Sequence, residues 1–515
     1  MKILLLYPEF PDTFWSFKHA LKFVRKKAFS PPLGLLTIAA MLPEHWELRL
    51  IDLNVRRLTD KDLAWAEGVF ISAMLVQRDS TRQVIARCKK TGLRIVAGGP
   101  LFTGEHEKFP EVDHFILNEA ELTLPEFLRD FERGRARRLY TTGAFADIRQ
   151  TPVPAWDLAD LKAYGTISIQ YSRGCPFKCE FCNIVTLFGH RPRVKSGRQF
   201  VAELDALYGQ GWRGSIFIVD DNFIGNKKQL KSDLLPALIT WQREHAGINF
   251  FTEASINLAD DDEMVAMMAE AGFDTVFIGI ESPNEESLAE CQKGQNRNRD
   301  LVADIKRLQH AGLQVQGGFI LGFDSDPPTI FQKQIEFIQC SGIVTAMVGL
   351  LQALPGTRLY DRLQQAGRLC SETSGDNVDG STNITPIMGM ETLVDGYRFL
   401  LTTLYTPKNY YLRIRTFLRE YRRPPIFPKT TRIRTFLREY RRPPIFPKTT
   451  LQRQRAFMRS LFRLGIFGKE RLQYWKTLVW TLFHRPELLP TMISLAIYGY
   501  HFRKICERNL PGSKR

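Results

Sequence analysis

Residues 166–183 read Thr-Ile-Ser-Ile-Gln-Tyr-Ser-Arg-Gly-Cys-Pro-Phe-Lys-Cys-Glu-Phe-Cys-Asn: a strand-like run over 167–171, then a loop carrying Cys175, Cys179 and Cys182. The C-x3-C-x2-C spacing supplies three thiolates on one tight loop. Three can hold three corners of a [4Fe-4S] cluster and leave the fourth iron open to a small ligand, which is what a catalytic metal site needs. A structural zinc site normally closes all four positions. His190 could complete a Cys3His zinc knuckle, but such modules sit in small loop-rich domains, whereas this loop follows a strand inside a long alternating pattern.

That pattern runs onward from the loop. Strand-like runs recur at 167–171, 215–219, 249–253, 275–280, 314–321 and 345–352, all but the last followed by a helical stretch. Six such units predict an open, partial (β/α)6 barrel over 166–365 rather than a closed eightfold one. Upstream, residues 1–135 alternate apolar runs at 2–7, 47–52, 68–74, 93–97 and 114–117 with helical spacing at 32–41 and 80–90. Strands that are apolar throughout and separated by helices predict a doubly wound parallel sheet covered on both faces, an α/β cofactor or nucleotide domain. Residues 136–165, rich in Arg, Pro, Thr and Asp, read as a linker. Residues 366–515 change to polar loop and then to basic, aromatic helix, a mainly helical C-terminal extension. Within it 413–431, Arg-Ile-Arg-Thr-Phe-Leu-Arg-Glu-Tyr-Arg-Arg-Pro-Pro-Ile-Phe-Pro-Lys-Thr-Thr, is repeated without a difference as 432–450. Two copies of so short a unit cannot make a solenoid. A duplication in a surface excursion, or an error in the gene model, explains it, and one copy is expected to be dispensable.

A chain of 515 residues with 44% hydrophobic content can bury several cores. Cys88, Cys291, Cys340, Cys370 and Cys506 are scattered without paired spacing, which argues against a disulfide framework or a second cysteine-ligated cluster and for a reducing cytoplasm. The apolar start ends at Pro8 and Glu9, too short for a secretory leader, and reads as a first buried strand. Charge is uneven: from Arg413 onward there are 25 Lys and Arg against 5 Glu, which leaves −4 of the net +16 for residues 1–412. So basic a tail can meet nucleic acid, anionic lipid headgroups or water. The uncharged run 488–502 is shorter than the ~20 residues of a membrane span. With Trp475, Trp480 and the surrounding Arg and Lys it reads either as a segment lying on the cytoplasmic face of a membrane or as helices packing back on the barrel.

At the barrel's reactive face, the C-terminal strand ends, stand Asp220, Asp221 and Asn222, then Glu253 and Ser255, then Glu281 and Ser282, and finally Asp324. Carboxylates and amides suit a ligand with a sulfonium, an ammonium and a ribose diol. The cysteine motif, with Phe181 before its last cysteine, resembles the signature of the radical S-adenosylmethionine (SAM) superfamily, in which SAM chelates the open iron. That resemblance implies Asp220 to Asn222 at the methionine amino group, Glu281 or Ser255 at the ribose and residues 317–323 at the adenine. Asp-Asp-Asn stands where the superfamily usually has Gly-Gly-Glu. Lys293 and Gln295 read as a solvated loop within reach of the SAM carboxylate.

Residues 1–135 resemble the cobalamin-binding domain that precedes the barrel in one radical SAM class, through Asp52-Leu-Asn54, Ser72-Ala-Met-Leu75, Gly98-Gly99-Pro100 and Asn118-Glu119-Ala-Glu121. Glycines there let backbone approach a corrin. Asn54 occupies the position of the family's cobalt-ligating histidine, which implies cobalamin without a histidine ligand, or a domain that has lost cobalamin. Residues 382–386, 390–397, 405–411 and 498–501 look like the extension shared by hopanoid C-methylases.

The resemblance implies a cobalamin-dependent radical SAM C-methyltransferase that consumes two SAM per methylation of an unactivated carbon, with a lipid such as a hopanoid as one acceptor and a flavodoxin or ferredoxin as electron donor. A radical SAM oxidoreductase or cyclase, with or without cobalamin, is the alternative. A methylthiotransferase is disfavoured, because the N-terminal domain has only Cys88 for a second cluster. A redox sensor that uses the basic tail to bind a partner is disfavoured by the strand-end carboxylates.

Overall fold

The computed structural model describes residues 1–422 and 451–509. Six parallel strands form the first sheet: β1 Lys2–Tyr7, β2 Glu47–Asp52, β3 Gly68–Ser72, β4 Arg94–Gly98, β5 His114–Ile116 and β6 Leu139–Tyr140, in the order β2-β1-β3-β4-β5-β6. Successive side chains of a strand point to opposite faces, and the core divides accordingly. Leu4, Leu6, Val69 and Ile95 pack with Val84, Ile85 and Phe102 on one side, and Ile3, Leu5, Phe70 and Val96 with Leu35, Leu124 and Phe127 on the other. This is the doubly wound domain expected. The stretch read as a linker differs in one respect: Leu139 and Tyr140 add the sixth strand, too short to show a period, and Trp156 is buried beneath the turns that follow.

The second sheet runs in chain order: β7 Ile167–Ile169, β10 Ser215–Ile218, β11 Asn249–Glu253, β12 Phe273–Glu281, β13 Gln314–Leu321 and β14 Ala346–Leu350, all parallel, with β8 Ser172–Arg173 and β9 Arg193–Val194 as a small antiparallel pair after β7. β7 and β14 do not pair, so the barrel is open, and unpaired strand edges need cover. Gly165 and Thr166 donate backbone N–H groups to the Phe29 carbonyl (3.1 and 2.8 Å), which lays residues 28–29 beside β7. On β14, the hydroxyls of Tyr397 and Tyr405 donate to the carbonyls of Val348 (3.0 Å) and Ala346 (2.5 Å). Trp15 enters the lumen against β12 and β14, its Nε1 donating to Met347 Sδ at 2.9 Å while its ring meets Phe277 edge-on.

The C-terminal helices Met390–Leu404, Pro407–Glu420, Leu451–Ser460, Arg471–His484 and Leu489–Asn509 share one core with the barrel. Leu488, Met492, Leu495, Ala496 and Phe502 are buried, so the segment 488–502 packs inward and does not lie on a membrane surface. Gly499 admits Tyr410, whose ring stands 2.2 Å from where a Cβ would be, and His501 Nε2 donates to the Phe14 carbonyl at 2.9 Å. The 498–501 motif is thus the dock for the N-terminal segment. The first repeat copy begins inside the helix Pro407–Glu420, where Arg413 is fully buried and donates to Gln339 (2.9 Å) and the Leu404 carbonyl (2.8 Å). The second copy, 432–450, lies outside the described residues. Among the described residues no helix is long and apolar enough to cross a membrane.

Candidate functional site

β8 turns into the cysteine loop at Gly174 (φ +96°), where a Cβ would stand 2.9–3.0 Å from the carbonyls of Phe188, Gly189 and Arg191, so the turn requires glycine. The loop is pinned on both sides: Cys175 N–H donates to Gly189 (3.2 Å), Glu180 N–H to Cys291 (2.9 Å), and the Glu180 carboxylate pairs with Arg362 (2.8 Å). Phe181 packs beneath against Phe323. All three cysteines are free and half-buried. Burial pushes the Cys175 thiol up and the Cys182 thiol up to about 12, and proximity to Cys179 adds to both. Cys175 and Cys182, which resist ionising beside a third cysteine, need a strong local cation to be held as thiolates, and a [4Fe-4S] cluster with an open iron fits a donor set of three cysteines.

Around the loop, the strand-end polar residues divide by task. Asp220 is buried and accepts from Tyr171 N–H (2.8 Å) and Ser172 Oγ (2.6 Å), tying the end of β10 to the turn after β7. Asp221 accepts from Gly174 N–H at 3.3 Å, and burial pushes its carboxyl up to about 6. Asn222 Oδ1 accepts from Ser255 N–H and Oγ (3.2 and 3.3 Å). Glu281 has φ +64° at a slip of register between β12 and β13, and its carboxylate pairs with Lys293 at 2.7 Å. Lys293 is therefore no solvated loop residue: its side chain is 12% exposed, lies in the field of the Cys179 and Cys182 thiols, and is kept charged by Glu281 against the effect of burial. Gln295 Nε2 stands 3.9 Å from Cys179 Sγ. Asp324 is held by Arg362 and Arg368 (3.1 and 2.7 Å), a structural tie. Glu253 makes no such bond; burial, then Asp221 and Asp220, push its carboxyl up to about 8.

On the N-terminal domain, Asp52 is buried and accepts from Asn54 N–H (2.8 Å), Asn54 Nδ2 (2.7 Å) and the Tyr164 hydroxyl (2.9 Å). Asn54 Oδ1 in turn accepts from Phe10 N–H at 2.8 Å, while its Nδ2 also donates to the Pro8 carbonyl at 3.2 Å. The amide is thus fully engaged in joining the loops after β1 and β2. Gly98 and Gly99 are required by close packing of the strand ends: a Cβ on either would stand 2.6 Å from the Ile116 carbonyl or from Ser72 Oγ, so no side chain projects from this turn. A corrin that brings no protein histidine to its cobalt fits these residues. Glu119 departs from the expectation that it meets cobalamin. Its carboxylate accepts from Arg193 Nη1 (2.8 Å) and Ala146 N–H (2.5 Å), and Glu121 pairs with Arg173 (2.8 Å). Both acids sit at the start of the helix Ala120–Glu132, where the dipole favours them, and they clamp the β8–β9 pair that frames the cysteine loop.

Between the two sheets lies a cavity of about 2600 Å³. It runs from Tyr7, Asn54 and Met74 at the ends of β1–β3, past Phe217, Phe251, Phe277 and Glu253 inside the barrel, to Trp212 and Gln314 at the opposite strand ends, where Phe457 and Tyr498 line it. Typical small-molecule sites hold ~300–1,000 Å³, so there is room for cofactor and substrate together. The three cysteines do not line it; Glu253, in the field of Asp221 and Lys293, joins the two regions. Sequence reading missed its aromatic wall. Phe251 shares the parity of Glu253 along β11 and was legible on that ground; Trp15 had no local signal.

Residues 26–128 match the B12 binding domain, 169–337 the radical SAM superfamily and 357–513 a domain of unknown function, DUF4070. The chain is 39% identical to the uncharacterized methyltransferase sll1242 of Synechocystis sp., over 98% of this chain and 91% of that protein. It is 33% identical to the hopanoid C-2 methylase of Rhodopseudomonas palustris, over 92% and 88%. In fold it is similar to the cobalamin-dependent SAM radical enzyme OxsB with aqua-cobalamin and SAM bound, with a TM-score of 0.61 and 14% identity over 100% of this chain and 84% of that one. Its cofactors are accordingly a [4Fe-4S] cluster, SAM and cobalamin. The chain belongs to the family of radical SAM enzymes with an N-terminal B12-binding domain that includes the hopanoid C-2 methylase.

Proposed function

We propose that this cobalamin-dependent radical SAM methyltransferase adds a methyl group to an unactivated carbon of a bulky apolar lipid of the hopanoid class. The observation that carries the reading is the cavity: an aromatic lumen that begins at the B12-binding domain and passes through the barrel. The 33% identity to the hopanoid C-2 methylase supports it.

When bound, the cluster and SAM supply a radical able to take hydrogen from an unactivated carbon, and cobalamin supplies the methyl group. The protein positions them and keeps water out. Cys175, Cys179 and Cys182 would hold the cluster. Asp221, Asn222, Ser255 and Glu281 are the side chains offered to SAM, with Lys293 fixing the Glu281 carboxylate. Asn54, its amide tied to the Phe10 N–H and the Pro8 carbonyl, would bring no imidazole to bound cobalamin. Glu253, protonated for the most part at neutral pH, presents a neutral acid to the lumen and keeps an unpaired charge out of it. Phe217 and Phe251, stacked with centroids 4.7 Å apart, offer rigid apolar faces to a fused-ring hydrocarbon. A flavodoxin or ferredoxin would supply the electron.

The test is a reconstituted holoenzyme given deuteromethyl-SAM, a low-potential reductant and a hopanoid. One deuterated methyl on the recovered lipid is expected. SAM cleavage with no methylated lipid would refute the acceptor class.

A further inference from the structure

The helix Leu451–Ser460, prolonged by Leu461–Ile466, folds back through residues 467–470 onto the helix Arg471–His484. The inner side of this hairpin is core: Leu464, Tyr474 and Leu478 are buried, Trp475 Nε1 donates to the Gly465 carbonyl at 2.8 Å, and Ser460 Oγ lies 2.8 Å from the Tyr474 hydroxyl. The outer side is also apolar. Phe462 and Phe467 on the first arm and turn, and Leu472, Trp475, Val479 and Phe483 on the second, are all exposed, with Leu472 at 70%, Phe467 at 79% and Phe483 at 82%. The 3-4-4 spacing of the last four puts them on one helical face. Single exposed hydrophobics need no explanation, whereas a contiguous row marks a contact surface.

Charge says what covers it. Residues 451–485 hold eight Lys and Arg against one acid, Glu470, which is itself buried and paired with Arg503. Arg463, Lys469, Arg471 and Lys476 are exposed around the apolar row. An apolar face ringed by Lys and Arg is the pattern of an element lying in a membrane interface. Side chains standing 70–82% clear of the fold project and do not line a groove. An acidic protein or a nucleic acid would satisfy the cations and leave these rings in water.

We propose that this hairpin docks the enzyme on an anionic lipid bilayer, Phe467, Leu472 and Phe483 entering among the acyl chains and Arg471 and Lys476 meeting lipid phosphates. The base of the hairpin, at Ala456 and Phe457, lines the cavity at the strand ends remote from the B12-binding domain. A lipid leaving the bilayer there enters the barrel apolar end first. The inference deepens the proposed lipid methylation, but its test needs no turnover.

The experiment is flotation of the full-length holoprotein with vesicles of phosphatidylcholine alone or mixed with phosphatidylglycerol. The protein should float with the anionic vesicles, and less as salt rises. F467S/F483S should lower binding roughly tenfold or more, with iron content and thermal midpoint unchanged because both rings are exposed. R471Q and K476Q should each lower it about fivefold on anionic vesicles only. Absence of flotation, or flotation indifferent to F467S/F483S, overturns the proposal; a change of oligomeric state in that variant would assign the face to a second copy and also overturn it. Flotation without hopanoid methylation would refute the proposed function and leave the docking surface standing.

Discussion

Replacing Glu119 by alanine should loosen the β8–β9 pair by about 3 kcal/mol. The Glu119 side chain is 2% exposed and holds both arginine Nη atoms of Arg193, itself 20% exposed, together with the Ala146 N–H. Removing one partner of a buried ion pair costs ~3–5 kcal/mol, because the other charge stays buried without it. The low end applies, since Arg193 keeps the carbonyls of Ala146 and Phe188 as acceptors. E119Q retains one acceptor and loses the charge, and should cost about 1–2 kcal/mol. Hydrogen exchange resolves this by segment. In E119A the amides of Ser172–Arg173 and Arg193–Val194 should exchange roughly a hundredfold faster, while β11 and β12 are unmoved. Cobalamin retention should be nearly unchanged. Unaltered exchange at β8–β9 with a loss of cobalamin would refute the reasoning and return Glu119 to the cofactor.

G174A forces a Cβ against three carbonyls at positive φ, and should abolish iron loading while circular dichroism stays native. Glu253 provides a pH test on cofactor-free protein. Its folded carboxyl is raised to about 8 from an ordinary 4.5, so its contribution to stability is fully present below pH 4.5 and is lost as pH rises through 8. E253Q should therefore be more stable than wild type at pH 9 and lose that advantage near pH 5, measured as thermal midpoints. Deletion of 432–450, which leaves one copy of the repeat, should leave the thermal midpoint and SAM cleavage unchanged; a large loss of either would show that both copies are needed.

Legibility in the sequence followed from locality. β1, β2, β11 and β13 fall where uninterrupted apolar or alternating runs put them, and the cysteine loop and the glycines at 98–99 are contiguous signals. β6 was hidden because two residues have no period. Lys293 read as solvated because the carboxylate that lets it be buried, Glu281, is twelve residues away and reaches it through an unusual φ. The apolar run 488–502 fits an interface or a core equally well by composition; only the packing of Tyr410 on Gly499 and of Phe14 on Phe502 decides for the core. The face that does stay exposed is spread over a helix whose inner residues are apolar too, so no clean amphipathic period announces it. Resemblance placed Glu119 at the cofactor, whereas its role is set by Arg193, seventy-four residues on.

The measurement that bears most directly on the account is the Co(II) EPR spectrum of protein purified anaerobically with cobalamin and passed through a desalting column. With Asn54 held by Asp52, Pro8 and Phe10, retained cobalt is expected, with a spectrum free of splitting from a protein nitrogen and so unchanged when the protein is 15N-labelled. Splitting that changes when the protein is 15N-labelled would contradict the assignment of Asn54, and loss of cobalt on the column would contradict cobalamin-dependent methyl transfer itself.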